Sequence, residues 1–334
     1  MPEIRHNPAT GEWVIVAPER AGRQGDFEVK GTKETLREAR PEYVATCPFC
    51  PGNEGHTPPE TLRLPRDGPW QVRVVPNKFA ALQREGVRAF RSDGLYRSLA
   101  GVGWHEVVIE SRQHNASPAL QGGRDIARLL TAFQMRGIEI AQDPRVEKIL
   151  YLKNHGPGAG TSREHPHSQI IALPMVPPRV RMRVAAAQRY FDETGECAFC
   201  KMWQAESASG ERVVAESARL VAFVPYAAFA PFHVWIVPRR HQASFRGASA
   251  GELADLGDLL RLVLRKIHLG LGDPDYNYVI QSSPLAVSQS DCLHWYVTIT
   301  PRLIPWGGFE MGSGMFINTA LPEENAHFLR GVKV

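Results

Sequence analysis

The 334 residues contain no hydrophobic run long enough to span a bilayer: the longest are strand-sized and broken by Arg, Pro or His, whereas a membrane helix needs about 20 apolar residues. Low-complexity tracts are missing too, and aromatic residues are spread along the chain, so a folded protein is expected rather than a disordered one. The formal net charge is only +4, with Lys and Arg interspersed among acids, which argues against a nucleic-acid surface. Met1-Pro2-Glu3-Ile4-Arg5-His6 lacks the apolar core and cleavage site of a secretory signal, so the expected location is the cytoplasm. Cysteine is scarce and odd in number. Four of the five form Cys47-Pro48-Phe49-Cys50 and Cys197-Ala198-Phe199-Cys200, and Cys292 stands alone. In a reducing compartment this spacing suits a metal better than a disulfide framework. A redox pair is the alternative, but no thioredoxin-like context follows either motif.

What is present is arranged twice. The length suits two domains or one duplicated unit, and the order of landmarks favours duplication. Each half opens with Cys-x-Phe-Cys and continues to a β-branched strand that ends at a histidine, Glu106 to His114 and His233 to His241, which align without a gap. Apolar residues at helical spacing follow in 125–141 (Ile126, Leu129, Leu130, Phe133, Ile138) and in 252–269 (Leu253, Leu256, Leu259, Leu260, Val263, Leu264). Then come strands at 148–153 and 276–281, and histidine-led strands at 167–174 and 294–301, an alignment that pairs His167 with His294. The expected fold is α+β: a duplicated histidine-bearing unit, with two mostly antiparallel sheet units and packed helices, able to join as one extended sheet. Residues 1–176 form the expected catalytic half and 177–334 the structural half, joined through Pro177-Pro178 and an Arg/Ala-rich helix.

The first half also carries the chemistry. In an extended segment, residues two apart share a face, so His165, His167 and Gln169 present two imidazoles and a carboxamide on one side. Asn154-His155-Gly156-Pro157-Gly158-Ala159-Gly160-Thr161-Ser162 lies just upstream, and its three glycines let backbone N–H groups approach an anion. A neutral imidazole near pH 7 is a competent nucleophile toward phosphorus. The second half has Cys292-Leu293-His294-Trp295-Tyr296, without a matching Gln or glycine loop, and is expected to be inactive.

His165-Pro166-His167-Ser168-Gln169 resembles the active-site motif of the galactose-1-phosphate uridylyltransferases, a branch of the histidine-triad superfamily. The likeness extends to Asn7-Pro8, Trp13-Val14, Asn77 to Leu82, Glu110 to His114 and Gly308-Phe309-Glu310. It implies that His167 attacks the α-phosphorus of a nucleotide sugar to form a nucleotidyl-histidine, while Gln169 stabilises phosphoryl charge. It further implies phosphate contacts from Gly160 and Ser162, nucleoside contacts from Asn77, Phe79 and Asn154, and acceptor-phosphate contacts from Arg20 and Arg23. Phe309 and Glu310 are implied to contact the hexose from a neighbouring subunit, in a homodimer.

Cys47, Cys50, His114 and His165 are a donor set suited to tetrahedral zinc, and the resemblance selects the same four. The repeat extends this to a second zinc at Cys197, Cys200, His241 and His294, with Cys292 competing for the fourth position. The leading reaction implied is uridylyl transfer from UDP-glucose to galactose 1-phosphate, within galactose metabolism. Lys78 stands where the family usually has Asp and Glu164 where a proline precedes the motif, while the 308–318 segment resembles the adenylyltransferase branch that includes ADP-glucose phosphorylase, which implies AMP transfer from ADP-glucose to phosphate or another small acceptor. A histidine-triad hydrolase would carry a third histidine where Gln169 stands. A zinc-supported nucleotide-binding protein without catalysis is the alternative of another class.

Overall fold

The computed structural model describes residues 1–20 and 40–334 in full and the backbone alone of 21–23. The N-terminal strands β1 (Glu3–His6) and β2 (Trp13–Val16) precede the first repeat. That repeat contains β3 (Leu62–Leu64), β4 (Val72–Pro76), an excursion hairpin of β5 (Phe90–Asp93) and β6 (Tyr96–Leu99), and β7 (Trp104–Ile109). Helix α1 (Gly123–Ile140) and strands β8 (Lys148–His155) and β9 (His167–Leu173) complete it. Helices α2 (Pro178–Thr194) and α3 (Ala198–Ser209) lead to the second repeat: β10 (Val213–Glu216), β11 (Leu220–Phe223), β12 (Val234–Pro238), α4 (Ala250–Leu271), β13 (Tyr276–Gln281) and β14 (Tyr296–Pro301). The chain closes with α5 (Gly308–Ser313), β15 (Phe316–Asn318) and α6 (Pro322–Gly331).

The two expected sheet units are fused. A single ten-stranded sheet runs β10-β11-β12-β14-β13-β8-β9-β7-β4-β3, so each repeat contributes five strands in the same order read from opposite edges. The join is the antiparallel pair β8 and β13, with Tyr276 opposite His155 and Ile280 opposite Tyr151. Within β4, β7, β9 and β12 the side chains alternate between two faces. Val74, Val108, Ile170 and Ile236 point into the main core under α1 and α4. Val75, Val107 and Ile109 pack with Cys47 and Phe49 on the opposite face, and Trp235 and Val237 pack there with Phe199 and Tyr296.

Both long helices follow the periodic reading. In α1, Ile126, Leu129, Leu130, Phe133, Gly137 and Ile140 are buried, while Ile138 is 47% exposed. The stripe turns away at Ile138 because 137 and 140 continue the seven-residue spacing set by 126, 130 and 133. Ser249 and Glu252 form a reciprocal capping box at the start of α4, which satisfies two backbone donors there. The helices cross where side chains vanish: a Cβ on Gly257 would lie 2.5 Å from the Gly123 carbonyl oxygen. Separately, β15 pairs in parallel with β2, tying the C-terminal segment to the N-terminus in a three-stranded sheet.

Candidate active site

His167 opens β9 on the sheet face opposite α1 and α4, and it borders a cleft of about 370 Å³ at the strand ends. Its Nδ1 lies 3.0 Å from the His165 carbonyl oxygen. A carbonyl only accepts, so Nδ1 carries the proton and Nε2 keeps a lone pair. Burial holds the imidazole below the usual histidine range, outweighing the hydrogen bond to His165, which acts the other way. The ring is therefore neutral at pH 7 with a defined nucleophilic atom. Beneath it, Lys153 Nζ donates to Glu110 at 2.7 Å and to the His167 carbonyl at 3.3 Å, and Ser168 donates to the other Glu110 oxygen. This buried ion pair anchors the backbone of the nucleophile.

The cleft is walled by the glycine loop. Asn154, Ser162 and Thr161 line it together with Arg40 and Arg163, two cations that belong to no recognisable spacing in the sequence. Gly160 adopts a φ of +87°, which a side chain would strain, and its carbonyl meets Asn154 Nδ2 at 3.5 Å. The Gly158 N–H donates to Asp275 at 2.6 Å, so that amide serves the fold and not a ligand. His155, within this loop, contacts the buried Asp273 at 3.1 Å.

Gln169 lies two residues beyond His167 on the same face, and its Oε1 meets His105 Nε2 at 2.7 Å. Asn77 stands 3.0 Å from the same imidazole nitrogen, and the Phe79 ring is 80% exposed beside it in sequence. His105 escaped the sequence reading, although its spacing from Val107 and Ile109 places it on this face.

Cys47, Cys50, His114 and His165 converge, all their ligand atoms lying within 4.8 Å of one another. Three sulfur-to-Nδ1 separations are 3.6 to 3.7 Å. A tetrahedral zinc with bonds of about 2.3 Å to sulfur and about 2.05 Å to nitrogen has S···N edges of about 3.6 Å, so the set fits this ion. His165 Nε2 donates to the Ser111 carbonyl at 2.9 Å, leaving Nδ1 bare toward the thiols, and Glu164 lies 3.8 Å from His114 Nε2.

The second copy differs. Among the described residues Cys197, Cys200 and His241 cluster, but His294 does not join them. Its Nδ1 is held by the Trp295 carbonyl at 2.8 Å, and Cys292 contacts Ser290 and Gln188 through its sulfur. Ring geometry also corrects the pairing of His167 with His294. His294 meets His241 edge-on at 5.4 Å, as His165 meets His114 at 5.3 Å. Tyr296 takes the nucleophile's place, 5.2 Å from Phe199 where His167 is 5.7 Å from Phe49. Matching the two strands by a leading histidine misses this because the first copy has two, His165 and His167, and His294 corresponds to the first of them, each lying two residues before its strand. Here α2 and the N-terminal loop cover the face: Ala187 and Ala9 pack with Tyr296, and Arg179 and Arg183 bind Glu12 at 2.7 and 3.0 Å.

Of the expected contacts, His167, Asn154 and Ser162 line the cleft, whereas Gln169, Asn77, Phe79, Gly160, Arg20, Phe309 and Glu310 do not. Arg20 is exposed on the turn after β2, Phe309 is 44% exposed on α5, and Glu310 accepts the Gly307 N–H at 2.8 Å beside Trp306. The Arg23 side chain lies outside the described residues. No described helix is long and apolar enough to cross a membrane.

The family model for galactose-1-phosphate uridyl transferase, N-terminal domain, matches residues 1–177, and a HIT domain model matches 206–300. The chain is 40% identical over its full length to ADP-glucose phosphorylase of Arabidopsis thaliana, covering 93% of that protein. It is 28% identical to the galactose-1-phosphate uridylyltransferase of Thermotoga maritima, with 100% of this chain and 99% of the relative covered. The crystal structure of an Arabidopsis thaliana ADP-glucose phosphorylase with bound ADP-glucose superposes with a TM-score of 0.85 at 36% identity, over 100% of this chain and 99% of that one. The chain belongs to the galactose-1-phosphate uridylyltransferase family of nucleotidyltransferases.

Proposed function

We infer that this protein transfers a nucleoside monophosphate from a nucleotide sugar to a phosphate-bearing acceptor through His167. The supporting observation is the Nδ1 hydrogen bond to the His165 carbonyl, which leaves Nε2 unprotonated at the cleft. In the first step Nε2 forms a bond to the α-phosphorus while the bond to the bridging oxygen breaks, releasing a sugar 1-phosphate. In the second, an acceptor phosphate oxygen attacks the same phosphorus and the P–N bond breaks, returning a neutral imidazole. Gln169 donates its amide hydrogens to the equatorial oxygens, where negative charge is concentrated. Arg40 and Arg163, with Ser162 on the loop, line the cleft and attract and seat the phosphates, and Gly160 shapes the loop beside them. Asn154, Asn77 and the exposed Phe79 ring serve the nucleoside.

ADP-glucose is the preferred donor in this reading, with phosphate or another small phosphate as acceptor. The 40% identity over the whole chain to an ADP-glucose phosphorylase supports it. UDP-glucose with galactose 1-phosphate is the second pairing, supported by the full-length match to a uridylyltransferase. The residues of the first cluster suit one structural zinc, which fixes the strand entry at His165. The second trio suits another, with its fourth ligand open. Arg20, Phe309 and Glu310, which lie outside the cleft of their own chain, are assigned with Arg23 to a site completed in a homodimer, on the family resemblance. The free thiols fit a cytoplasmic setting.

The test is incubation with α-phosphate-labelled ADP-glucose, UDP-glucose and GDP-glucose, followed by phosphate or galactose 1-phosphate. Acid-labile, alkali-stable label on the wild type and none on His167→Ala is expected. Wild-type protein that takes no label from any nucleotide sugar refutes covalent transfer.

A further inference from the structure

His105 lies outside the His-Pro-His-Ser-Gln motif and contacts no phosphate-loop residue, yet its ring is fixed from both ends. On one side the Ala81 backbone N–H donates to His105 Nδ1 at 3.0 Å. A backbone amide cannot exchange its role, so Nδ1 is an acceptor and the proton sits on Nε2. On the other side Nε2 meets Gln169 Oε1 at 2.7 Å. An N–H at that point selects the oxygen of the carboxamide and turns its NH2 group the other way. Asn77 Oδ1 accepts the Phe79 N–H at 2.9 Å, which brings the Asn77 amide nitrogen to 3.0 Å from His105 Nε2; with the Ala81 N–H holding the Nδ1 lone pair, Nε2 carries the proton, so this approach is a donor–donor contact and Gln169 Oε1 is the acceptor the Nε2–H has.

We propose that His105 is a positioning residue that sets the polarity of the Gln169 carboxamide, holding its NH2 group toward the transferring phosphoryl group. This rests on the transferase reading above. A free carboxamide would present oxygen or nitrogen to an anion, and the oxygen face repels it. Selection of the NH2 face before substrate arrives is electrostatic preorganisation. The same imidazole ties Gln169 to the loop that carries Asn77 and Phe79, so occupancy on the nucleoside side and the aim of the amide share one ring.

The second repeat supplies an internal contrast. In β7 and β9, His105 stands two residues before Val107, the register partner of Gln169. In β12 and β14, His233 stands two residues before Trp235, the register partner of Thr298. His233 Nε2 again meets that partner's side chain, Thr298 Oγ1, at 2.6 Å. Here, however, the obligate donor is the Trp235 indole N–H, 3.1 Å from Nε2, which forces the opposite tautomer; His233 Nδ1 is buried without a hydrogen-bond partner. The histidine is present in both copies, and only the copy with Gln169 and His167 has the donor arrangement that aims an amide.

The experiment compares wild type, His105→Leu, His105→Gln, Gln169→Leu and the His105→Leu/Gln169→Leu double variant in single-turnover labelling with ADP-glucose or UDP-glucose. His105→Leu is expected to slow nucleotidyl-His167 formation about 10- to 100-fold with KM changed less than about threefold. His105→Gln, which keeps an N–H donor, recovers part of the rate. The double variant is expected to be no slower than Gln169→Leu, because His105 acts through that amide. Multiplicative losses in the double variant, or a His105→Leu rate within twofold of wild type, overturn the proposal. Should the variants fold poorly, 15N-resolved NMR of wild-type His105 decides: a protonated Nε2 supports it and a protonated Nδ1 overturns it. Absence of label on wild type with every nucleotide sugar refutes the transferase reading and the role in transfer with it, whichever nitrogen carries the proton.

Discussion

Replacing Cys50 by Ala tests the link between the metal cluster and the nucleophile. The Cys50 sulfur is fully buried, lies 3.6 Å from both His114 Nδ1 and His165 Nδ1, and accepts the Val44 N–H at 3.4 Å. Its loss leaves three donors and removes one of the two thiolates that neutralise a divalent cation. An ion held at 1,000 times its dissociation constant contributes about 4 kcal/mol to folding. At about 2–4 °C per kcal/mol, a generous slope for a chain this long, melting is expected to fall by about 5–15 °C. The chemical consequence is separate. His165 supplies the carbonyl that holds the His167 proton at 3.0 Å, and its Nδ1 belongs to the donor set that would hold the ion. Release of His165 frees the nucleophile's ring to rotate, with an expected loss of about 10- to 100-fold in labelling rate, the range found when the supports of a metal site are removed. Zinc released from denatured protein is counted with a chromogenic chelator, and label formation is timed on the same sample. Cys200→Ala is the control: its zinc count falls, but labelling is retained, because Tyr296 occupies the nucleophile's place in that copy. A Cys50→Ala protein that keeps its full zinc count refutes the ligand assignment. One that loses the zinc and labels at the wild-type rate refutes the coupling.

Phe79→Ala is expected to raise KM for the nucleotide sugar about 5- to 100-fold, from a base-stacking contribution of about 1–3 kcal/mol, without lowering the melting temperature, because the ring is 80% exposed; an unchanged KM removes Phe79 from the nucleoside site. The labelling rate is expected to stay level through neutral pH and to fall only below about 6.5, since burial depresses the His167 pKa and protonation of Nε2 abolishes the nucleophile as pH drops through that lowered value. The linked stability has the same sign: it is present above the unfolded value and lost as pH falls. A rate limb centred above the ordinary histidine range contradicts this. Gly257→Ala is expected to destabilise the fold by about 1–3 kcal/mol, read from the urea midpoint, because the new methyl meets the Gly123 carbonyl at 2.5 Å; an unchanged midpoint means that α1 and α4 separate freely.

Local pattern determined much of this protein. The period of Leu253, Leu256, Leu260 and Val263 specifies α4, and the alternation of β7 and β9 specifies which side chains share a face. The two Cys-x-Phe-Cys motifs and the order of landmarks make the duplication visible, because both copies answer to the same packing demands. The spacing of His165, His167 and Gln169 marks the chemistry for the same reason that strands alternate.

Distances across the sheet are another matter, since they depend on register and on what covers each face. Ile138 fits the helical spacing within its own segment but faces solvent, because only the α1–α4 contact decides which edge of the stripe is buried. The place of Tyr296 opposite Phe199 came from ring geometry, which a match of the strands by their leading histidine could not carry. In the second copy α2 and Glu12 cover the face that, among the described residues, borders the cleft in the first. His105 has no motif around it; it matters because Ala81 and Gln169, distant in sequence, meet its two nitrogens and so dictate where its proton resides. Sequence determines which groups are available and which face each occupies, but a hydrogen bond between segments exists only once folding has brought donor and acceptor within about 3 Å.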